Sequence, residues 1–593
     1  VGLCCVLSYA LAERPDYPEL KKSDANIIGH VLDKKTKEHL PYITIALKGT
    51  TIGTVTDATG HYFLKNLPEG NFILEVSSVG YKTVTRNVTL KKGKTLEEDF
   101  EIEEDAIALD GVVVSANRSE TTRRMAPTLV NVVDLKLFET TNSSTLSQGL
   151  NFQPGVRVET NCQNCGFQQV RINGLDGPYT QILIDSRPVF SALSGVYGLE
   201  QIPASMIERV EVMRGGGSAL FGSSAIAGTI NIITKEPLRN SGQLSHTITS
   251  LGGSSSFDNN TSLNASLVTD DHRAGLYIFG QNRYRSGYDY DGDGFTELPK
   301  LKNQTVGFRS YLKTSTYSKL TFEYHHMQEF RRGGDMLNRP PHEAHIAEQL
   351  QHSIDGGSLK FDYFSPDEKN RLSVFASAAN TDRDSYYGPG NDPLKAYGKT
   401  TDLTAMGGAQ YVHTFDKCFF MPSDLTAGLE YNRDRLKDNM WGYNRHTDQT
   451  VNIYSAFLQN EWKNDRWGIL IGGRLDKHNM VDNVIFSPRA NLRFNPTQNI
   501  NLRLSYSSGF RAPQAFDEDM HIENVGGTVA MIERAKDLKE EKSQSFSVSA
   551  DMYHRFGAFQ TNLLIEGFYT RLTDVFVLGK PYDRGDGILV KTR

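Results

Sequence analysis

The sequence IERVEVMRGGGSALFGSSAIAGTINIITKEP, residues 207–237, is the most informative stretch of the chain. Apolar and charged residues nearly alternate over residues 207–212, which predicts a half-buried strand. The glycine triplet 215–217 permits positive φ and lets another part of the chain approach closely. The β-branched run 229–234 ends before Pro237, which cannot donate to a ladder. We therefore predict a strand, a turn, a short helical or irregular segment and a second strand, folded compactly with polar residues inside.

The bulk composition narrows the class of protein. A chain of 593 residues is too long for one hydrophobic core, so several domains are expected. The net charge of −6, without a basic stripe, gives no sign of a nucleic-acid partner. No run approaches ~18 uninterrupted apolar residues, so no transmembrane helix is predicted. The 26 Tyr and 30 Phe against 3 Trp fit the aromatic girdles of a membrane β-barrel, and also a large soluble β protein.

The N-terminal run VGLCCVLSYALA, residues 1–12, is apolar and ends in a small-x-small cleavage pattern. It has no Met and no basic region ahead of it, so we interpret it as part of a signal peptide and exclude it from the fold. The sequence predicts an exported protein.

Residues 25–103 contain short β-like runs separated by turn sequences. Strands at this spacing predict a small β-sandwich. His30, His39 and His61 are scattered through it with spacing unlike that of a zinc site, and we expect them at the surface.

From residue 238 to residue 593, segments alternate between apolar and polar residues, as at 425–431 and 500–506. Arg and Glu within such segments would be costly against an apolar core but are expected against a wet lumen. We count about fifteen segments, fewer than the ~22 strands of plugged outer-membrane transporters. The last residues lie in a predicted strand, so we expect an antiparallel transmembrane β-barrel that is incomplete at its C-terminus.

Two parts of the chain resemble TonB-dependent outer-membrane receptors. Residues 118–237, including QVRINGLDGPYTQILIDSRPVF, are similar to the plug domain, and the opening stretch is similar to the end of that domain. The sequence from GHVLDKK to SSVGYK, residues 29–82, resembles the carboxypeptidase-regulatory-like domain that precedes many Bacteroidetes receptors. The resemblance implies a mixed α+β plug inside an outer-membrane barrel, with the first domain in the periplasm.

The segment LDGVVVSA, residues 109–116, looks like a TonB box. An extended, β-prone segment with a free edge can be captured by strand addition. The resemblance implies that Val112, Val113 and Val114 bind TonB and its inner-membrane energising complex. The alternative is that these residues form the first strand of the plug.

In the same family, two plug loops touch the substrate at the apex. The corresponding loops here surround residues 162–165 and 189–198. The resemblance implies that five residues contact the substrate: Asn164, Phe167, Phe190, Ser191 and Tyr197.

Cys162 and Cys165 form a C-x-x-C motif in a predicted turn. Such a motif indicates a redox pair, half of a metal site or a short disulfide. A redox pair needs a thioredoxin-like helix start, and zinc needs a second ligand pair, and neither is evident in the sequence. For an exported protein we therefore predict a disulfide that pins the loop.

The segment DYDGDGFTE places carboxylates at alternate positions around glycines, as calcium loops do. The candidate calcium ligands are Asp289, Asp291, Asp293 and Glu297. Lys300 stands where an EF-hand has its bidentate Glu, so a plain solvated hairpin loop is the alternative.

The loop at 331–352 contains His342, His345, Glu348 and His352. A helix there would place His342 and His345 on one face, near a metal or haem. We favour instead a polar extracellular loop that folds over the barrel.

Residues 510–513, FRAP, and 537–539, DLK, resemble the two boxes that flank a haem-binding histidine in haem receptors. The resemblance implies that His521 is a haem ligand. The Asn-Pro of the second box is replaced by Ala-Lys, and the plug has no His to act as second ligand. FRAP-like strands also occur in siderophore and cobalamin receptors.

No catalytic triad, phosphate loop or pair of catalytic carboxylates stands out, so we expect a transporter and not an enzyme. The resemblance implies TonB-dependent transport of a metal chelate: ferric siderophore, haem or cobalamin. This chelate would be cargo, no cofactor is required, and the barrel's other partner is outer-membrane lipid. The alternatives are a surface receptor or adhesin and a glycan importer, which pairs with a surface lipoprotein.

Overall fold

The computed structural model describes residues 25–57, 59–78, 81–103, 112–188, 200, 202–269, 271–389, 396–525, 528–535, 537–557 and 559–593. The predicted signal peptide, residues 109–111 of the predicted TonB box, and Phe190, Ser191 and Tyr197 lie outside these ranges. No helix in the described ranges is long and apolar enough to cross a membrane.

The first domain is a sandwich of two small sheets, one ordered β4-β1-β7 with β8 also on β1, the other β3-β2-β5-β6. Alternate side chains such as Ile27, Ile45 and Leu74 are fully buried between the sheets, which is the apolar-in, polar-out pattern of a water-soluble sandwich. The strands are β1 Ala25–Asp33, β2 Thr44–Leu47, β3 Gly53–Val55, β4 His61–Leu67, β5 Gly70–Ser77, β6 Val84–Leu90, β7 Thr95–Glu97 and β8 Phe100–Ile102.

The plug follows, with a four-stranded sheet ordered β11-β15-β16-β14 and a separate β12-β13 hairpin. Strand β14 pairs in parallel with β16 and does not join the β12-β13 hairpin. The elements are β9 Val112–Val113, β10 Thr121–Thr122, β11 Val130–Asp134, α1 Leu135–Thr140, α2 Leu146–Leu150, β12 Val156–Cys162, β13 Phe167–Ile172, β14 Thr180–Ile184, β15 Ile207–Arg214, α3 Ser218–Phe221 and β16 Gly228–Thr234.

The stretch that opened the sequence analysis forms β15, α3 and β16, with β15 and β16 antiparallel. Polar residues lie inside it, as predicted. Glu211 is fully buried, and its Oε2 accepts hydrogen bonds of 2.9 Å from the backbone N–H groups of both Val114 and Ser115. The Ser115 hydroxyl donates to the same oxygen at 2.7 Å and accepts from Asn231 at 3.0 Å. The buried carboxylate therefore ties the segment that leads into the plug to the central strand.

The glycine triplet brings this element against the barrel. Gly215 has φ of +85°, which a residue with a side chain rarely adopts. A Cβ on Gly216 would lie 2.1 Å from the Ser507 hydroxyl of the barrel wall. The triplet thus serves both a backbone turn and a close contact between plug and barrel.

The described ranges contain a sheet of 15 antiparallel strands, in agreement with the predicted count, and they follow chain order except that β29 pairs directly with β32. Its strands are β17 Ser241–Ser250, β18 Phe257–Val268, β19 Ala274–Arg285, β20 Lys300–Ser315, β21 Ser318–Gly334, β22 Ile346–Phe364, β23 Asn370–Pro389, β24 Tyr397–Cys418, β25 Met421–Met440, β26 Arg445–Lys463, β27 Trp467–His478, β28 Ile485–Thr497, β29 Ile500–Arg511, β32 Glu541–Phe556 and β33 Phe559–Thr573.

The two faces of this sheet reverse the pattern of the first domain. Leu244 and Ile248 are 71% and 60% exposed on the outer face, while Arg331 and Arg493 are fully buried on the inner one. The plug contacts strands near both ends of the sheet. The Tyr277 hydroxyl on β19 donates to the Ser205 carbonyl, and Arg214 pairs with Glu566 on β33. An apolar outside and a charged inside around a plug are expected of a membrane barrel.

A small sheet ordered β30-β31-β35-β34 lies beside the barrel strands. We expected the last residues to form a barrel strand, but β35 pairs in parallel with β31 instead. The elements are α4 Asp517–Met520, β30 Glu523–Val525, β31 Thr528–Glu533, β34 Tyr582–Asp583 and β35 Ile588–Thr592.

The ends of β21 distinguish the two ends of the barrel. At its start, the backbone N–H of Thr51 in the first domain donates to the carbonyl of Thr316 at 2.9 Å. At its other end, Gly333 lies against the plug hairpin at Asn164. A strand of 17 residues is about 55 Å long, so the hairpin lies at the far end of the barrel from the first domain.

Candidate functional site

The β12-β13 hairpin presents two thiols at this far end. Cys162 ends β12, and Cys165 lies in the turn, which is closed by a 3.0 Å hydrogen bond from the N–H of Gly166 to the carbonyl of Cys162. Gly166 has φ of +68°, which is suited to glycine. The turn places both sulfur atoms on the side that faces the barrel wall.

Two residues of the barrel complete a cluster around these thiols. Glu348 lies near the start of β22, and His521 follows α4. Cys162 Sγ lies 3.1 Å from Glu348 Oε2, and His521 Nε2 lies 3.5 Å from Cys165 Sγ and 3.6 Å from Glu348 Oε2. All four donor atoms lie within 4.8 Å of one another. We call Cys162, Cys165, Glu348 and His521 the apical cluster.

The predicted disulfide does not join Cys162 and Cys165 in the structure, and their sulfur atoms instead contact Glu348 and His521. Our reason for setting zinc aside, the lack of a second ligand pair, was also wrong. Glu348 and His521 supply that pair, from positions that are 186 and 356 residues away from their cysteine partners in the chain. The C-x-x-C motif is therefore half of a convergent cluster.

The surroundings of His521 do not suit a haem. Its Nε2, the atom that would bind iron, faces Cys165 and Glu348, and its side chain is 15% exposed. Its ring meets Phe167 and Tyr387 edge-on, each at 5.5 Å between ring centroids. A porphyrin needs open space over the ligand nitrogen, and this position is filled by protein.

An apolar shell surrounds the apical cluster. Phe167, which we expected to touch substrate, is 5% exposed and packs within this shell as part of the enclosure of the cluster. Asn164 is half-buried, with its carbonyl against Gly333. Further members of the shell come from barrel strands and from the small sheet: Ala347, Leu350, Tyr386, Ile522, Val529, Met531 and Ile588.

The charged forms of Cys162 and His521 stabilise each other within the apical cluster. The pKa of Cys162 is lowered to about 6, mainly by a hydrogen bond with Cys165. Burial opposes this shift, and His521 adds to it. Burial disfavours the charged imidazolium, but hydrogen bonds to Cys162 and Glu348 outweigh it and raise the pKa of His521 to about 10. A thiolate beside an imidazolium is a reactive, metal-binding form of cysteine.

A second cluster lies in the loop between β19 and β20, which we call the acidic loop (residues 289–297). Asp289, Asp291 and Glu297 bring carboxylate oxygens together near the surface, whereas Asp293 instead accepts a 2.8 Å hydrogen bond from the N–H of Phe295. Asp289 accepts from the N–H groups of both Gly292 and Gly294, at 2.7 and 2.9 Å. Three of the four predicted calcium ligands are thus neighbours, and the loop's own backbone uses their oxygens.

The histidines at 342–352 do not share one site. His342 lies 2.9 Å from the Tyr397 hydroxyl, and His345 lies 2.6 Å from Asp335. His352 is buried beside Glu329. Only Glu348 of this predicted loop joins the apical cluster, because β22 begins at Ile346 and points it inward. In the first domain, by contrast, His30, His39 and His61 come together although we described them as scattered, since their ring centroids lie 4.9 to 5.7 Å apart.

The described part of the predicted TonB box is folded onto the plug. Val112 and Val113 pair with Thr122 and Thr121, and Val113 is fully buried. The N–H of Val114 donates to Glu211. The segment is short and strand-like, as both of our interpretations require.

Buried ion pairs fix the plug within the barrel. Glu200 of the plug contacts Arg283, Arg285 and Arg331 at 3.2, 2.8 and 2.8 Å, and these arginines keep its pKa low despite burial. On other strands, Arg118 pairs with Glu430 at 2.5 Å. Sequence patterns place charges on the inner face of each strand but do not say which plug residue each one meets.

Family models match three consecutive parts of the chain. They describe a CarboxypepD_reg-like domain at residues 27–114, a TonB-dependent receptor plug domain at 122–229 and a TonB-dependent receptor-like β-barrel at 228–587. The first match runs into the predicted TonB box, and the third covers more than half of the chain.

Among individual proteins, the chain is 24% identical over 425 residues to the vitamin B12 transporter BtuB of Vibrio vulnificus strain CMCP6, covering 69% of this chain. The chain spans 64% of the length of that relative. Over 174 residues it is 33% identical to the vitamin B12 transporter BtuB of strain YJ016, covering 28% of each chain.

Solved structures show the same fold. The siderophore receptor PirA from Acinetobacter baumannii gives a TM-score of 0.65 at 18% identity, covering 79% of this chain and 76% of that one. A mutant of the ferric enterobactin receptor PfeA from Pseudomonas aeruginosa gives 0.64 at 18% identity, with the same coverage of 79% and 76%. The protein therefore belongs to the TonB-dependent receptors and carries a carboxypeptidase-regulatory-like domain ahead of its plug.

Proposed function

We propose that this protein is an outer-membrane active transporter that imports a scarce metal-bearing ligand, with TonB supplying the energy. The observation that carries the proposal is the plug, which lies inside the barrel and is held there by buried ion pairs. Removing one partner of a buried pair costs about 3–5 kcal/mol. Several such pairs must break or rearrange before cargo can pass, so transport requires work from outside the barrel.

The apolar outer face supports an outer-membrane location, with lipid as the surrounding partner. The first domain contacts the barrel end that has the short turns, such as 316–317, while loops such as 286–299 and 335–345 lie at the other end. In outer-membrane barrels the short turns face the periplasm. The first domain then lies in the periplasm, and the apical cluster faces the cell exterior.

The TonB contact is proposed at Val112, Val113 and Val114. Strand addition there would compete with the pairing to Thr121 and Thr122. Because Val114 and Ser115 donate to Glu211 on β15, a pull on this segment acts directly on the central strand of the plug. This connection gives a physical route from TonB to the interior of the plug.

The relatives named for vitamin B12, siderophores and ferric enterobactin support metal-containing cargo in this chain as well. Among the ligands expected from the sequence, cobalamin and ferric siderophores agree better with the geometry than haem, because His521 Nε2 is enclosed. No catalytic step is assigned to the protein.

The test is uptake and binding in a strain that lacks the native gene. Deleting residues 110–116 should abolish uptake of cobalamin, ferric siderophore or haem while surface binding is kept. A more selective test compares two variants at one position. Val112→Pro removes an N–H needed for strand addition, whereas the control Val112→Thr keeps that N–H and a β-branched side chain. Undiminished uptake after the deletion would instead favour a surface receptor or adhesin, and uptake of oligosaccharide with a lipoprotein partner would favour a glycan importer.

A further inference from the structure

We infer that the apical cluster binds a bare divalent transition-metal ion of the Zn²⁺ class and that this ion is itself cargo. The inference rests on the proposed transport function and names a substrate class for it.

The distances fit one small ion. In a tetrahedral zinc site the metal lies 2.0–2.3 Å from each ligand, so ligand atoms are about 3.3–3.8 Å apart. Cys162 Sγ to Glu348 Oε2, Cys165 Sγ to His521 Nε2, and His521 Nε2 to Glu348 Oε2 span 3.1, 3.5 and 3.6 Å. Small side-chain movements would suffice to place an ion among them.

The donor set decides which ion fits. Two thiolates, one imidazole and one carboxylate suit borderline and soft metals such as Zn²⁺ and discriminate against Ca²⁺ and Mg²⁺, which take oxygen ligands. Because the four atoms lie within 4.8 Å of one another, the space between them accommodates an ion and not a chelator or macrocycle. The ion is therefore bound directly by protein.

The positions of the ligands are fixed by packing. Glu348 lies in the β22 ladder directly opposite Tyr387, whose ring also meets His521. Glu348 is 3% exposed, and Cys165 is fully buried. A dry apolar shell strengthens the attraction between a cation and its anionic ligands. Rigid, buried ligands raise affinity because little order is lost on binding.

The division of the ligands between two parts of the molecule provides for release. Cys162 and Cys165 belong to the plug, whereas Glu348 and His521 belong to the barrel and its outer loops. Movement of the plug hairpin would remove both sulfur ligands together. The proposed TonB-driven rearrangement of the plug would thus lower the affinity sharply and free the ion toward the lumen.

Binding is tested on the full purified chain, kept reduced without added thiols, by titrating Zn²⁺ against a chromogenic chelator. We expect about one tightly held ion per chain and a loss of affinity of at least about 100-fold in Cys162→Ser/Cys165→Ser, since even outer-shell changes at metal sites cost 10–100-fold. Cys418→Ser is the matched control, because that thiol lies outside the cluster. Co²⁺ in place of Zn²⁺ should give thiolate-to-metal charge-transfer absorption that the double variant lacks.

Glu348→Gln and His521→Gln provide a second pair of variants that preserve volume, and each should weaken Zn²⁺ binding. Equal Zn²⁺ affinity in the parent and all these variants, or no thiolate absorption with Co²⁺, would overturn the site.

Transport is measured separately as zinc accumulation by cells. Both the 110–116 deletion and Cys162→Ser/Cys165→Ser should abolish it, while Cys418→Ser should not. If the deletion stops uptake of a chelate but the cysteine variant leaves zinc accumulation unchanged, the transporter stands and the ion is not its cargo. If the deletion affects no uptake at all, the proposed function itself fails.

Discussion

The apical cluster and the acidic loop both gather metal-ligating groups at the same end of the barrel, yet the chain builds them in opposite ways. The acidic loop takes its carboxylates from nine consecutive residues, 289–297, and lies at the surface. The apical cluster joins a plug hairpin to a barrel strand and an outer loop, and its members are largely enclosed.

This difference determines what each cluster can do. In the acidic loop, backbone N–H groups already occupy the carboxylate oxygens, and water screens the charges that remain. In the apical cluster, the ligands face one another within an apolar shell, where electrostatic attraction is strong. Neighbours in sequence form a turn whose carboxylates bind its own backbone. Residues that converge from distant parts of the chain instead direct their donor atoms at one another.

We expect the largest difference in Zn²⁺ affinity between substitutions in the apical cluster and substitutions in the acidic loop. Cys162→Ser/Cys165→Ser should weaken Zn²⁺ binding by at least about 100-fold, because both sulfur ligands are lost. Asp289→Asn/Asp291→Asn should leave Zn²⁺ affinity unchanged. Competition titration on both variants provides the measurement, and equal losses would mean that the two clusters are not distinct.

Enclosure itself can be tested through glycine. A Cβ on Gly333 would lie 1.8 Å from the carbonyl oxygen of Asn164, so Gly333→Ala must displace the plug hairpin. Overpacking of this kind costs about 1–3 kcal/mol, and we expect roughly a tenfold loss of Zn²⁺ affinity. Gly292→Ala in the acidic loop is the control, since its Cβ meets nothing within 4 Å and its strain at φ of +79° is local. An unchanged affinity in Gly333→Ala would argue against the close packing of hairpin and wall.

Thiol chemistry gives a further comparison within one molecule. Zn²⁺ should protect the half-buried Cys162 from alkylation, while the half-buried Cys418 reacts equally with and without the ion. Mass spectrometry of labelled peptides measures both thiols at once. In Glu348→Gln the protection should be weaker, and protection that persists without any of the barrel ligands would indicate a site formed by the cysteines alone.

The smallest effect is expected for calcium. Exposed sites of this kind hold Ca²⁺ with a Kd of about 10⁻⁴–10⁻³ M at best. Isothermal titration should therefore show weak binding or none, and Asp291→Ala/Asp293→Ala should leave thermal stability within about 0.5 kcal/mol of the parent. Tight binding that this variant removes would restore the acidic loop as a structural calcium site.

Much of the fold was predictable because it follows from local periodicity. Alternation at 425–431 and 500–506 requires one wet and one apolar face, and both segments lie in barrel strands. The stretch 207–237 specified its own strands and turn through charged alternation, glycines and a terminal proline. Local periodicity does not give the partner of β14, because parallel pairing joins strands that are distant in the chain.

The site was predicted only in pieces. Cys162, Cys165 and His521 were each singled out, but the cysteines were assigned to a disulfide and the histidine to haem. Each motif was interpreted with its sequence neighbours, while the groups that meet it in the structure are contributed by other elements. A pattern of two cysteines, one histidine and one glutamate across separate segments carries no spacing rule that would have joined them.

The sequence by itself determined the strand pattern, the turn chemistry and the charged inner face, because backbone geometry and burial act on neighbouring residues. Only the tertiary structure decided which charges pair across the lumen and that two thiols, a carboxylate and an imidazole meet at the apex. The physical reason is that register and plug position set these distances. A shift of one residue in β22 would turn Glu348 to the opposite face and dissolve the cluster.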